Sequence, residues 1–186
     1  MKRNGNIYLV GFMGTGKSSV GRALAARKKW QFVDLDELIE LREKRPISEI
    51  FANLGEPYFR KAEKAVLKEV ATQKKFVVAC GGGIVIDKEN IKIMKETGIM
   101  VCLIATPKVI FKRVSGYAHR PLLNVPDPEK QIAHLLMLRA PFYAQADKTI
   151  DTSKCPVGKV VDKLLALSSP NPKSNPKPKK CSTKKR

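Results

Sequence analysis

The chain has 186 residues, 43% of them hydrophobic, enough for one globular domain with a substantial core. No run of 18 apolar residues occurs, so no transmembrane helix is expected. Lys and Arg outnumber Asp and Glu by 36 to 17, for a net charge of +19; seven of these cations fall in Ser168–Arg186, and without them the charge is +12.

Along the chain, Met1-Lys2-Arg3 before Ile7–Val10 resembles a signal peptide, but the apolar stretch is too short and runs straight into a glycine loop. A cytoplasmic location is expected. Asn6–Val10 reads as a buried strand. Gly11-Phe12-Met13-Gly14-Thr15-Gly16-Lys17-Ser18 then fits G-x-x-x-x-G-K-[ST], and Val20, Leu24 and Ala25 recur at helical spacing over Val20–Lys28. Strand, glycine loop and helix form the context in which that motif wraps nucleotide phosphates. Glycines let backbone N–H groups converge on an anion, and the helix N-terminus adds free donors and a positive dipole end. Lys17 is expected to reach the β- and γ-phosphates, and Ser18 to ligate Mg²⁺.

A second strand, Trp30–Val33, precedes Asp34-Leu35-Asp36 and a helix over Asp36–Lys44. On extended backbone the two carboxylates point the same way. One then suits Mg²⁺ through water, and the other suits orienting or deprotonating an acceptor hydroxyl. The plainer alternative is a helix cap at Asp36 with Asp34 uninvolved. Helices are expected over Ile47–Leu54 and Glu56–Thr72. Arg60 on the latter could grip a substrate carboxylate with Glu63, three residues on, holding its guanidinium; the alternative is a surface arginine.

The strand Phe76–Cys80 runs into Gly81-Gly82-Gly83, which either lets backbone pass close to a ligand or makes a tight turn. Lys88–Glu96 is helical, Met100–Ile104 a strand, and Pro107–Val114 a helix. Ser115–Asn124, with Gly116, His119, Arg120 and Pro121, has the polar, glycine-containing character of a lid. Arg120 is placed there to meet the γ-phosphate. Gln131–Ala144 is helical and carries Arg139, which is either functional or a surface charge. Thr149–Asp151 is the fifth strand, and Val157–Leu167 the closing helix. After it the tail has four prolines and no acid, so it should be disordered; a solvated tail and non-specific attraction to RNA are both open. Cys80 and Cys102 sit in apolar strand-like runs, and no two of the four cysteines, Cys155 and Cys181 included, have C-x-x-C spacing. With His119 and His134 the only histidines, reduced thiols and no zinc site are expected.

Strands alternating with helices imply a parallel sheet covered on both faces, in one domain over residues 1–167. Ligands in such sheets bind beyond the carboxyl ends of the strands, which is where the motifs fall. Together, GFMGTGKS, FVDLDELIE, IFANLGEPYFRKAEKAVL, CGGGIV, HRPLL and RAPFY resemble the shikimate kinase family over Asn6 to Leu167.

The resemblance implies an α/β fold of the nucleoside-monophosphate-kinase type, a three-layer sandwich around five parallel strands. It implies ATP-dependent phosphorylation of the 3-hydroxyl of shikimate, giving shikimate 3-phosphate and ADP on the route to chorismate and the aromatic amino acids. It places Asp36, Lys17 and Arg120 in catalysis. Gly11, Gly14, Thr15, Gly16, Lys17, Ser18, Val20, Arg113, Arg120 and Pro156 would hold ATP, with Arg113 and Pro156 at the adenine. Asp36, Phe51, Phe59, Arg60, Gly81, Gly82, Gly83 and Arg139 would hold shikimate, and Ser18 and Asp34 would hold Mg²⁺. The lid would span about 113–124. Cys80 departs from the small or hydroxyl residue often found before the triple glycine, and the basic tail is outside the family pattern.

Three rivals remain at this level. A nucleoside monophosphate kinase has an already ionised acceptor and needs no base, so Asp34 and Asp36 argue against it. A gluconate-type kinase is set aside only by resemblance. An RNA-binding protein with a vestigial loop is favoured slightly by the charge, but aromatics are only 6% and no base-stacking motif appears. A switch GTPase would need N-K-x-D, which is absent. A monomer is expected, with a small-molecule partner and neither membrane nor specific nucleic acid.

Overall fold

The computed structural model describes residues 5–115 and 125–168. The strands are β1 (Asn6–Val10), β2 (Gln31–Asp34), β3 (Phe76–Ala79), β4 (Gly98–Ile104) and β5 (Lys148–Asp151). They form one sheet in the order β2-β3-β1-β4-β5, every neighbouring pair parallel. The helices are α1 (Lys17–Lys28), α2 (Leu35–Glu43), α3 (Ile47–Ala71), α4 (Lys88–Thr97), α5 (Pro107–Val114), α6 (Pro128–Tyr143) and α7 (Val157–Ser168), with a 3₁₀ turn at Ile84–Ile86.

The central strand explains the layering. Every residue of β1 is buried. Alternation sends Ile7 and Leu9 to one face, where they meet Val20 and Leu24 of α1 and Val160, Val161 and Leu164 of α7. Tyr8 and Val10 point the other way, into a cluster with Leu35 and Ile39 of α2, Val66 and Leu67 of α3 and Met94 of α4. Both faces are covered, so β1 reads as a continuous apolar run. A third cluster, Phe12, Ala105, Ile110, Val114 and Ile132, seats α5 and α6 beyond the sheet's carboxyl edge.

Element boundaries differ from expectation by a few residues, with local causes. β2 begins at Gln31 rather than Trp30, because the Trp30 N–H bonds Ala25 O and completes the end of α1. α1 begins at Lys17, directly after its N-cap Gly16, whose φ of 95° is left-handed rather than helical. α6 begins at Pro128, capped by Asp127, whose side chain accepts from the Lys130 N–H. Cys80 lies one residue past β3, although its N–H still bonds Leu9 O at 3.0 Å. The expected break between two helices near Leu54 is present within α3: Gly55 has φ 79° and ψ 169°, open only to glycine. The 3₁₀ turn has no counterpart among the elements expected from sequence. No described helix is long and apolar enough to cross a membrane. The expected lid residues Gly116, His119, Arg120 and Pro121, and the tail beyond Ser168, lie outside the described residues.

Candidate active site

A cleft of ≈ 950 Å³ opens at the carboxyl ends of β1, β2 and β3. One half is the phosphate loop. Gly14 has φ 74°, and a Cβ there would stand 2.8 Å from Val114 Cγ1, so only glycine fits between loop and α5. The Thr15 hydroxyl, fully buried, donates to Phe12 O at 2.7 Å. Lys17 Nζ folds across the loop and donates to Gly11 O and Phe12 O, each at 3.0 Å. Gly11 therefore serves through its carbonyl, while Val20, only 2% exposed, packs into the core as well as edging the cleft.

Arg113 and Pro156 both line the far side of this half. Arg113 is tied down: its Nη1 donates to Gly14 O and Thr152 Oγ1, each at 3.1 Å, and its Nη2 to Thr152 O at 2.7 Å. The Thr152 hydroxyl lies 3.0 Å from Thr15 O and 3.1 Å from Ile104 O. Thr152 thus joins the end of β5 to the loop after β1. Sequence reasoning passed it over, although its place just beyond a strand's carboxyl end was a signal.

Between the halves sits the Asp34–Asp36 pair. Ser18 Oγ donates to Asp34 Oδ2 at 2.6 Å, and Asp34 Oδ1 accepts the Asp36 N–H at 3.1 Å. Asp34 is therefore the N-cap of α2, with Asp36 in its first turn. Contrary to expectation, the backbone is not extended through both residues; a cap turn brings the carboxylates to the cleft instead. Ser18 and Asp34 supply neighbouring hard oxygens, the donor set that suits a Mg²⁺ keeping several waters. Among the described residues, no three His, Cys, Asp or Glu side chains are arranged to hold a metal ion together.

The other half gathers around the triple glycine. A Cβ on Gly81 would stand 2.6 Å from Glu63 Oε1 and 2.8 Å from Asp36 Oδ1. One on Gly83 would stand 2.7 Å from Arg60 Nη1, and one on Gly82 would lie 3.5 Å from Arg139 Nη1. The missing side chains are what allow two carboxylates and two guanidinium groups to converge. Arg60 is held twice: Nη1 on Glu63 Oε2 at 2.7 Å, and Nε and Nη2 on Glu56 Oε1 at 3.1 and 2.9 Å. Its guanidinium also lies 5.1 Å from the Phe59 ring centre, and Phe59 stacks on Phe51 at 4.8 Å. Arg139 lies inside α6, its guanidinium 5.5 Å from the Phe12 ring centre. One turn later Tyr143 donates its hydroxyl to Gly82 O at 2.7 Å and fixes the glycine segment. Burial pushes that phenol up to about 12, so it stays a donor. The i, i+4 spacing from Arg139 could have pointed to Tyr143, and the second arginine clamp, Glu56, also stands four residues from Arg60.

Glu63 is the least ordinary group here. It is fully buried, and its Oε1 has no hydrogen-bond partner among the described residues. Burial pushes its carboxyl up to about 7, against the pull of Arg60. Cys80, also buried, has its thiol pushed well up by the same cause and packs 4.0 Å from Met94 Sδ, which makes it a core residue rather than a reactive one.

A phosphate loop at the head of a parallel sheet, a carboxylate beside it and an arginine-lined hollow next door define a small-molecule kinase with a hydroxyl acceptor. A family model described as shikimate kinase matches residues 13–168. The chain belongs to the shikimate kinase family. It is 44% identical over 160 residues to the shikimate kinase of Thermodesulfovibrio yellowstonii, covering 86% of this chain and 92% of that one. The structure of the Acinetobacter baumannii shikimate kinase in complex with shikimate superposes with a TM-score of 0.84 at 38% identity, covering 88% of this chain and 92% of that chain. The Bacteroides thetaiotaomicron shikimate kinase gives 0.79 at 33% identity, over 88% and 97%. A gluconokinase from Sinorhizobium meliloti, 18% identical with a TM-score of 0.54, shares the fold. The chain is accordingly a phosphotransferase that acts on an alcohol group.

Proposed function

We propose that this chain transfers the γ-phosphoryl group of ATP to the 3-hydroxyl of shikimate, with the roles assigned to the residues above. The observation that carries the reading is the convergence of Asp36, Arg60 and Arg139 on Gly81–Gly83 beside the phosphate loop. Arg60 and Arg139 anchor the substrate carboxylate. Asp36 faces the hydroxyl, aligns it and accepts its proton. Phe51 and Phe59 wall the hollow. Lys17 leaves its two carbonyl partners for the phosphates. Arg113 and Pro156 flank the adenine, and Arg120 belongs to the segment that closes over the γ-phosphate. Ser18 and Asp34 hold Mg²⁺, which neutralises charge on the phosphates when bound. Phosphoryl transfer is mainly positioning and charge neutralisation, and these groups supply both. The enzyme acts as a cytoplasmic monomer, with the kinase domain spanning residues 1–167.

The test is ADP release with ATP, Mg²⁺ and, in turn, shikimate, gluconate, AMP and CMP. Turnover with shikimate alone is expected. Turnover with another acceptor instead would overturn the substrate-site roles while keeping the nucleotide site.

A further inference from the structure

Glu63 lines the cleft with one carboxylate oxygen committed and the other left over. Its side chain is only 1% exposed. Oε2 accepts from Arg60 Nη1 at 2.7 Å, while Oε1, equally sealed, has no hydrogen-bond partner among the described residues. Oε1 lies against the triple glycine, where the Cβ that Gly81 lacks would stand 2.6 Å from it and 2.8 Å from Asp36 Oδ1. Two carboxylates thus face one bare stretch of backbone inside the acceptor hollow.

The charged and titratable groups around Glu63 come from each wall of that hollow. They are Arg60 and Glu56 on α3, Asp36 on α2, Cys80 after β3, and Arg139 and Tyr143 on α6, across the triple glycine. Burial keeps the Cys80 thiol and the Tyr143 phenol neutral. That leaves Arg60 and Arg139 against the carboxylates of Glu56, Glu63 and Asp36. Arg60 is heavily used already. Of the five N–H groups of a guanidinium, one on Nη1 bonds Glu63, and Nε–H and one on Nη2 bond Glu56. One N–H on each Nη is left for a substrate, and both nitrogens lie beside Gly83. A substrate carboxylate held there becomes the third carboxylate on one guanidinium. Glu56 is 58% exposed, so water screens it. Glu63 has no such screening, and the added negative charge falls hardest on it.

We propose that Glu63 takes up one proton from solvent when the substrate's carboxylate docks, which makes it a proton-linked positioning residue; this rests on the assignment of shikimate's carboxylate to Arg60 and Arg139. The proton goes to Oε1, the oxygen without a donor. Oε2 still accepts from Arg60, while the charge of the guanidinium is committed to the substrate. Neutral Glu63 also removes a like charge from beside Asp36, which must stay ionised to accept the hydroxyl's proton. Glu63 is poised for this, because burial pushes its carboxyl up to about 7. Below pH 7 the proton is in place before the substrate arrives, and affinity is level. Above pH 7 binding draws the proton from solution, so affinity falls as pH rises, by up to about tenfold per pH unit.

The experiment is calorimetric titration of the full chain with shikimate at pH 6 and pH 8, each in two buffers of different ionisation enthalpy, for wild type and Glu63→Gln. Wild type should take up most of one proton per bound shikimate at pH 8 and little at pH 6, and should bind about five- to tenfold more weakly at pH 8. Glu63→Gln, weaker at pH 6 because Arg60 is less firmly held, should take up none and keep one affinity at both pH values. Its binding of ATP reports that it is folded. Infrared difference spectra of wild type at pH 8 need no variant: shikimate should raise a protonated-carboxyl band. Uptake that persists in Glu63→Gln, shikimate binding without uptake, or absence of that band in wild type would each overturn the proposal and leave shikimate as the ligand. No binding of shikimate would overturn the assignment beneath it, and the proposal with it.

Discussion

Glu63 and Asp36 are two carboxylates set against one glycine, and their surroundings assign them different work. Glu63 is sealed from water and braces Arg60, so its proton leaves only near pH 7 instead of the ordinary 4.5. The folded state therefore holds a proton that the unfolded chain has released. Its contribution to stability is full below pH 4.5 and is lost as pH rises to about 7. Glu63→Gln, which cannot ionise, should flatten the fall in stability between those pH values, as measured by urea denaturation at pH 5 and pH 8. The same variant loosens Arg60 and should raise KM for shikimate more than it lowers kcat. Asp36 is placed by a cap that its own side chain does not make, since Asp34 receives its N–H. Asp36→Asn should thus fold normally and bind ATP with nearly unchanged affinity in calorimetry, while kcat falls by at least about a hundredfold. Loss of ATP binding would instead make Asp36 a structural residue.

At the scale of elements, two junctions carry the geometry. The first is Gly55, where the long α3 breaks so that Phe51 and Phe59 meet across the kink. Gly55→Ala forces a side chain into a conformation reserved for glycine, and should cost about 1–3 kcal/mol of stability. Chemical denaturation reads it directly. The second is Thr152, which joins β5, the phosphate loop and the end of α5 through Arg113. Thr152→Val keeps the shape and removes the hydroxyl's bond to Thr15 O and the acceptor for Arg113 Nη1, while Ile104 O keeps the residue-152 N–H; the loss should cost about 1–3 kcal/mol. Nucleotide affinity should drop while shikimate affinity holds; an equal loss of both would mean that the brace supports the whole domain rather than the nucleotide half.

For the whole molecule, the sheet separates two kinds of surface. Its carboxyl edge collects the phosphate loop and the triple glycine, and its amino edge collects the exposed Lys29, Lys74 and Lys75, which make no ion pair among the described residues. The kinase core needs only the clusters on the two sheet faces and the cap formed by α5 and α6. A chain ending at Ser168 should therefore keep its turnover and its melting temperature, measured by coupled assay and calorimetry.

Much of this was legible in the residues in order. The strand–loop–helix motif, the apolar run that makes β1 a buried strand, the break at Gly55 and the pairing of Arg60 with Glu63 are all local, set by spacing within a few residues of each other. Local chemistry also located the site, since parallel strands all deliver their next loops to one edge. Spacing could not yield relations between distant segments. The Ser18 bond to Asp34, the Thr152 brace, the Tyr143 bond to Gly82 and the burial of Glu63 against Asp36 each join residues whose closeness exists only once the sheet has closed its order. The grouping of Lys29 with Lys74 and Lys75 is of that kind too: β2 pairs with β3, 45 residues later in the register Gln31↔Phe76, and that pairing alone makes scattered lysines a surface.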